Sequence, residues 1–296
     1  MWIPVTLIAA TFQVLRTSRQ HELRSLLTPT GAGFVRYLYG APLAWGAAVL
    51  WFGVGGRPLP EHSPSFWGWL LVASLSQIVA TVALLRSFRA RDFAIGTVYA
   101  KTEVIQVALL SAVLLGESLE PLGWAGAVLC TVGVVWLATE GAMARLLRRA
   151  SDPAALLGVI AGGLFGLAAL GIRGASTALG DAPSVDRALL TLTVMLTVQT
   201  ALNAGYLVVT DRRELAATVR AWRAAIPVGV LSLAGSAGWA LAVTLEHATK
   251  VRTLGQVELL LAFVIARRRH GDVHSPGELV ASATVLVGIV AVATLG

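Results

Sequence analysis

The sequence predicts an all-α integral membrane protein with ten transmembrane helices, arranged as two inverted five-helix repeats. Three observations lead there. Of the 296 residues, 56% are apolar and only 13% charged, where a soluble domain carries roughly 25% charged residues. The apolar residues gather into ten runs, each close to the ~20 residues that cross a bilayer. A gapless offset of 155 residues superposes the third to fifth runs on the eighth to tenth.

In chain order the expected spans are 2–18, 31–53, 66–87, 93–115, 120–139, 154–174, 186–209, 223–245, 250–266 and 277–295. The run from Trp2 to Leu15 has no basic segment before it and no small-residue cleavage site before Arg16, so it reads as a retained helix. The connections are short and hold the charges and turn formers, as in Arg57-Pro58-Leu59-Pro60-Glu61, Gly180-Asp181-Ala182-Pro183 and Asp211-Arg212-Arg213-Glu214. None could hold a soluble domain. Cys130 is the only cysteine, so an intrachain disulfide is excluded. The net charge of +7 lies in clusters between apolar runs, a pattern of membrane topology and not of nucleic-acid binding. Glycines at i, i+4 spacing, Gly162 with Gly166, and serines Ser232 with Ser236, let helices approach closely within one chain.

The offset places Trp67 on Trp222, Glu103 on Glu258, Gly116 on Gly271, Pro121 on Pro276, Gly133 on Gly288, Ala138 on Ala293 and Thr139 on Thr294. Glu117 meets another acidic residue, Asp272. The chain therefore divides into a first repeat at 1–140, an interfacial linker at 141–152 and a second repeat at 153–296. Five helices is an odd number, so the second repeat enters the membrane from the opposite side. Inverted repeats are the common architecture of secondary transporters, with the substrate near the midplane.

At these residues the chain resembles the EamA-type branch of the drug/metabolite transporter superfamily. Lys101-Thr102-Glu103-Val104 through Leu114-Leu115-Gly116-Glu117 is similar to that family's E-P … L-G-E stretch, and Gly123-Trp124-Ala125-Gly126 … Gly133-Val134 to its glycine-punctuated fifth helix. Glu258 and Pro276 … Gly288-Ile289 repeat the pattern more faintly. Val104 stands where relatives often have proline, which predicts a straighter fourth helix, and the second half has no Leu-Gly-Glu. The resemblance implies export of amino acids and related metabolites.

Charges at mid-bilayer are expensive and mark functional sites. Lys101 and Glu103 fall halfway along the fourth span. Glu258 lies nine residues before Arg267-Arg268-Arg269, with Gln256 at the position of Lys101. The candidate substrate site is thus Lys101-x-Glu103 facing Gln256-x-Glu258. Residues two apart on a helix point about 200° apart, so one of Lys101 and Glu103 is expected to lock against a neighbouring helix. Acid and base together suit a zwitterion, and either Glu258 or Glu103 could carry a coupling proton. Gln13, Gln77, Tyr99 and Trp239 add polar or aromatic groups within other spans. Arg36 and Arg187, near span starts, are expected to snorkel to the interface.

No metal or other cofactor is expected: His270-x-Asp272-x-His274 lacks a fourth ligand, and Glu246-His247 reads as a solvated pair. Glu140 to Arg149 reads as an amphipathic linker. No catalytic residue is expected either. A lipid-modifying membrane enzyme would need an interfacial cluster such as Asp-x-Asp, which the sequence lacks. The other alternative is a proton-coupled cation or drug antiporter with one essential glutamate and a structural Lys101. The expected partners are a small-molecule substrate, membrane lipids and protons, with no nucleic acid; the chain is expected to act as a monomer, a dimer being left open. The expected location is the inner membrane. Sixteen basic residues follow the odd-numbered spans, from Arg16 to Arg269, against Arg57, Arg173, Arg187, Lys250 and Arg252 on the other side. That bias predicts both termini outside.

Overall fold

A computed structural model describes residues 1–87, 98–139, 148, 152–261 and 275–296. The predicted linker, nearly all of it, and the His270-x-Asp272-x-His274 cluster lie outside the described residues, as do Gly271 and Arg267-Arg268-Arg269. Every described element is helical. The helices are α1 Trp2–Glu22, α2 Pro29–Leu38, α3 Gly40–Ala48 with a π-helical continuation Val49–Val54, α4 Ser65–Ser87, α5 Glu103–Leu114, α6 Pro121–Ala138, α7 Pro153–Thr177, α8 Ser184–Thr210, α9 Arg212–Arg220, α10 Trp222–Leu245, α11 Ala248–Gly255 and α12 Pro276–Leu295. Among the described residues, seven segments are long and apolar enough to cross a membrane: Thr30–Val54, Ser65–Leu84, Pro121–Ala138, Pro153–Thr177, Ser184–Thr210, Trp222–Leu245 and Pro276–Leu295. The chain is a multi-pass membrane protein.

Helix ends follow the local sequence. Pro121 and Pro276 sit in the first turns of α6 and α12, where a missing N–H costs nothing. Ser275 and Glu278 form a reciprocal capping box on α12. After α5, Gly116 adopts φ +69°, which explains why this stop carries glycine.

The chain folds as two units. The first comprises Met1–Leu75 and Gly171–Leu245, the second Ser76–Leu170 and Glu246–Gly296. The divisions fall inside α4 and α7, so the units do not follow the sequence halves.

In the first unit α1 packs on α10, where Gly238 leaves room for Ala9. Leu23, Leu27, Ala32 and Val35 form a core with Ala225 and Val228, flanked by Ala217 and Ala221. The end of α1 and the short helix α9 therefore meet at one end of this unit. A helix at 212–220 was not expected from the sequence, which reads there as a charged connection.

In the second unit α6 and α12 pack antiparallel through glycines. A Cβ at Gly126 would stand 2.7 Å from that of Ala291, and one at Gly133 2.8 Å from the nitrogen of Val285. Gly288 abuts Cys130 in the same way. Under the 155-residue offset Gly133 becomes Gly288 and Cys130 becomes Val285, so these two contacts exchange. That self-complementary relation is what a local two-fold axis produces. Gly162, Gly163 and Gly166 of α7 face Ala100, Gln106 and Val107, so this small-residue face is spent inside the unit.

The fourth and ninth expected spans are not continuous helices. Residues 98–100 are helical, Lys101 and Thr102 form a turn, and α5 starts at Glu103; α11 ends at Gly255, Gln256 forms a turn, and helix resumes. Lys101 N–H donates to the Val98 carbonyl at 3.0 Å, and Gln256 N–H to the Thr253 carbonyl at 3.1 Å. Those four residues are themselves related by the offset. The expectation that Val104 straightens this segment is therefore corrected: the interruption precedes Glu103 and needs no proline. The backbone tightens to an i→i+3 turn, with Thr102 Oγ1 donating to the Tyr99 carbonyl at 2.7 Å.

Candidate functional site

Both interruptions present charge. Lys101 Nζ donates to Glu258 Oε1 at 2.6 Å, and each side chain is 18% exposed. Beside it, Arg252 Nε donates to Glu103 Oε1 at 2.5 Å, with Glu103 only 7% exposed. Arg252 also attracts the Glu258 carboxylate. Two carboxylates and two basic side chains thus meet inside the second unit. A buried charge without a partner costs several kcal/mol, and here each finds one.

The sequence argument held that Lys101 and Glu103 would face different ways, since residues two apart on a helix diverge. The turn at Lys101–Thr102 removes that premise. Both side chains reach the same segment, Lys101 meeting Glu258 and Glu103 meeting Arg252. Arg252 was the group that sequence reasoning missed, having been counted with Lys250 among the basic residues of the terminal side. Its one signal was its place six residues before Glu258.

Gln256 is 3% exposed and donates weakly, at 3.4 Å, to the Arg252 carbonyl. Its Oε1 is buried and has no hydrogen-bond partner among the described residues. Such an acceptor is rare in native interiors and calls for a donor. Tyr99 packs on Ala154 and Ala155 of α7 and on Val98 and Val135. Gln106 Nε2 donates to Thr102 Oγ1 at 2.7 Å, bracing the turn. Gln77 belongs to the same unit, in α4, where its carbonyl accepts from Thr81 Oγ1.

Gln13 and Trp239 come together in the first unit, the indole Nε1 donating to Gln13 Oε1 at 3.0 Å. That unit holds two further polar clusters the sequence did not announce. Asp186, 3% exposed, accepts from Trp51 Nε1 at 2.7 Å and lies 3.5 Å from Arg57, whose guanidinium stacks over the Trp51 ring. Trp51 is turned to Asp186 on the π-helical end of α3, a backbone form that re-aims side chains. Glu214 of α9 accepts from both the N–H and the hydroxyl of Thr28, capping the start of α2. Its carboxylate occupies the space any side chain at Gly31 would need. Glu246 and His247, expected as a solvated pair, sit before α11. His247 N–H donates to Glu246, and its ring lies 4.0 Å from Glu117. Among the described residues no group of histidine, cysteine and carboxylates could hold a metal.

Residues 1–139 match the EamA-like transporter family. The first 139 residues are an EamA-like transporter domain. Such a domain implies a membrane transporter of the drug/metabolite superfamily, a group of carriers and not of enzymes. One solved structure, titled only as the crystal structure of a protein, is similar over 99% of this chain and 97% of its own, with a TM-score of 0.70 at 19% identity. That likeness concerns the fold. No curated relative matches the chain.

Proposed function

We propose that this EamA-type chain is a secondary active transporter of small zwitterionic metabolites such as amino acids, working by alternating access around the Lys101–Glu258 pair, with export as its direction. The observation that carries the reading is the position of this pair at two helix interruptions that the internal offset makes equivalent. Interrupted helices free backbone polar groups and place charge at the midplane, the arrangement secondary transporters use for substrate. The exchange of the Gly133–Val285 and Gly288–Cys130 contacts supports the ten-helix inverted repeat, and so does the antiparallel course of α6 and α12.

The charge balance favours a zwitterion. Its carboxylate can take Lys101 while its ammonium takes Glu258, with Gln256 Oε1 as a second acceptor, so every charge keeps a partner. A simple cation would displace Lys101 and leave it uncompensated, which disfavours the cation-antiporter reading. Glu103 and Arg252, the less exposed pair, act as the fixed brace; Lys101 and Glu258 act as the pair that opens.

Counterflow of radiolabelled amino acids into proteoliposomes tests the proposal. Saturable uptake whose apparent affinity Lys101→Ala and Glu258→Gln both weaken is the expected result. Uptake of no amino acid pool would overturn it, and cation efflux lost only in Glu258→Gln would replace it with the antiporter.

A further inference from the structure

We propose that the outer face of α9 binds anionic phospholipid headgroups of the phosphatidylglycerol kind. The argument begins with what α9 buries. Glu214 and Thr218, 8% and 0% exposed, form its inner face. Glu214 bonds Thr28, and the Tyr39 hydroxyl donates to the carbonyls of Thr218 and Val219 at 3.1 and 3.0 Å. The inner face is thus held by hydrogen bonds to Thr28 and Tyr39, beside the packing of Ala217 on the apolar core. The Asp211 side chain caps α9 by accepting from the Glu214 N–H at 3.0 Å. A helix docked this way has a fixed outward face.

That face is basic. Arg212, Arg213 and Arg220 are exposed within about 120° of arc on a regular helix. Arg223, also exposed, follows at the start of α10 with its guanidinium over the Trp222 ring, 5.2 Å from the centroid. Asp211 is the one exposed carboxylate between α8 and Arg223, and among the described residues none of the four arginines forms an ion pair. Four like charges within about three turns repel one another unless a counter-charge comes from outside.

The flanking helices say where that charge comes from. Tyr206 and Val209 near the end of α8 are 59% and 86% exposed, and Ile226 and Val230 in the first turns of α10 are 41% and 47% exposed. Apolar side chains exposed on two spans are the surface that acyl chains cover. A lipid lying there carries its phosphate to the level of α9. A half-exposed Trp222 at the same level is the aromatic anchor expected of a bilayer interface. Basic residues at such a surface each contribute about 1 kcal/mol toward anionic lipid.

The test uses the full-length protein in mild detergent, titrated with phosphatidylglycerol or phosphatidylcholine. Retained lipid is read by native mass spectrometry and the thermal unfolding midpoint followed in parallel. The wild type should retain and be stabilised by phosphatidylglycerol in preference to phosphatidylcholine. In R213Q/R220Q/R223Q the affinity for phosphatidylglycerol should fall about fivefold per arginine removed, with phosphatidylcholine unaffected. Arg212 is kept because its Nε donates to the Val208 carbonyl at 2.9 Å. The lysine counterpart, R213K/R220K/R223K, should keep the preference, which separates charge from folding. Equal retention of both lipids, or an undiminished preference in the glutamine variant, overturns the proposal. So does full competition by inorganic phosphate, which would make this a site for free anions. Substrate transport enters none of these readouts, so the proposal stands or falls apart from the function proposed above.

Discussion

Lys101 and Glu258 lie 157 positions apart in sequence and 2.6 Å apart in space, each at an interruption of its helix. The pair is accessible enough to open and buried enough that opening is costly without a replacement. Loss of one charge-assisted partner costs roughly 1.5–3 kcal/mol. Lys101→Ala and Glu258→Gln should each weaken the apparent affinity for a zwitterionic substrate on the order of tenfold or more. Concentration-dependent counterflow measures this, and an unchanged half-saturation in either variant would place the substrate elsewhere.

Glu103 and Arg252 are expected to behave differently, because their role is to hold the two segments together. Removing either charge alone leaves the other buried, so Arg252→Met or Glu103→Leu should each destabilise the protein by about 3 kcal/mol. The double variant should recover much of that loss, since an apolar pair of similar size leaves no orphaned charge. Thermal unfolding of the four proteins in detergent gives the cycle. Additive losses would show that the two residues do not act as a pair.

Much of this was legible in the sequence, and the parts that were not share a cause. Composition and apolar runs announce a polytopic helical protein, and the 155-residue offset singles out Glu103 and Glu258 together with Gly133 and Gly288. Those signals are strong because charge inside a membrane is scarce and glycine contacts are steric. What escaped was local backbone geometry. Nothing in Tyr99-Ala100-Lys101-Thr102 breaks a helix by composition; the turn depends on Thr102 bonding back to Tyr99 and on Gly162 admitting the Ala100 carbonyl. Arg252 escaped for the converse reason. An arginine at the start of a span reads as an interface anchor until its carboxylate partner is seen. Glu214 looked like a solvated charge because its partner, the start of α2, lies 186 positions away.

The exchanged glycine contacts make a prediction about symmetry. Gly133→Ala sets a methyl against the Val285 backbone, and Gly288→Ala sets one against the Cys130 backbone. Overpacking of this sort costs about 2 kcal/mol. The two substitutions should therefore lower the unfolding midpoint by similar amounts, and by less than their sum when combined, since both push the same two helices apart. A large loss from one and none from the other would mean that α6 and α12 are not related by a local two-fold axis.

Orientation is the last prediction, and the structure changes its terms. By the ten-span reading, sixteen basic residues follow the odd-numbered spans and five lie on the opposite side. Arg252 leaves that minority, because it turns inward onto Glu103. Arg173 is drawn inward as well, donating to the Val243 carbonyl at 2.8 Å. The packing of Leu23 and Leu27 beside Ala217 and Ala221 brings the connections after spans one and seven to one end, as that reading requires. Basic residues in short connections favour the cytoplasm, so both termini are expected on the outer side of the inner membrane. Fusions at Gly296 test this directly. Alkaline phosphatase should be active there and a fluorescent protein dark. The opposite result would mean that the arginines of α9 face outward and that the basic bias does not set the topology of this chain.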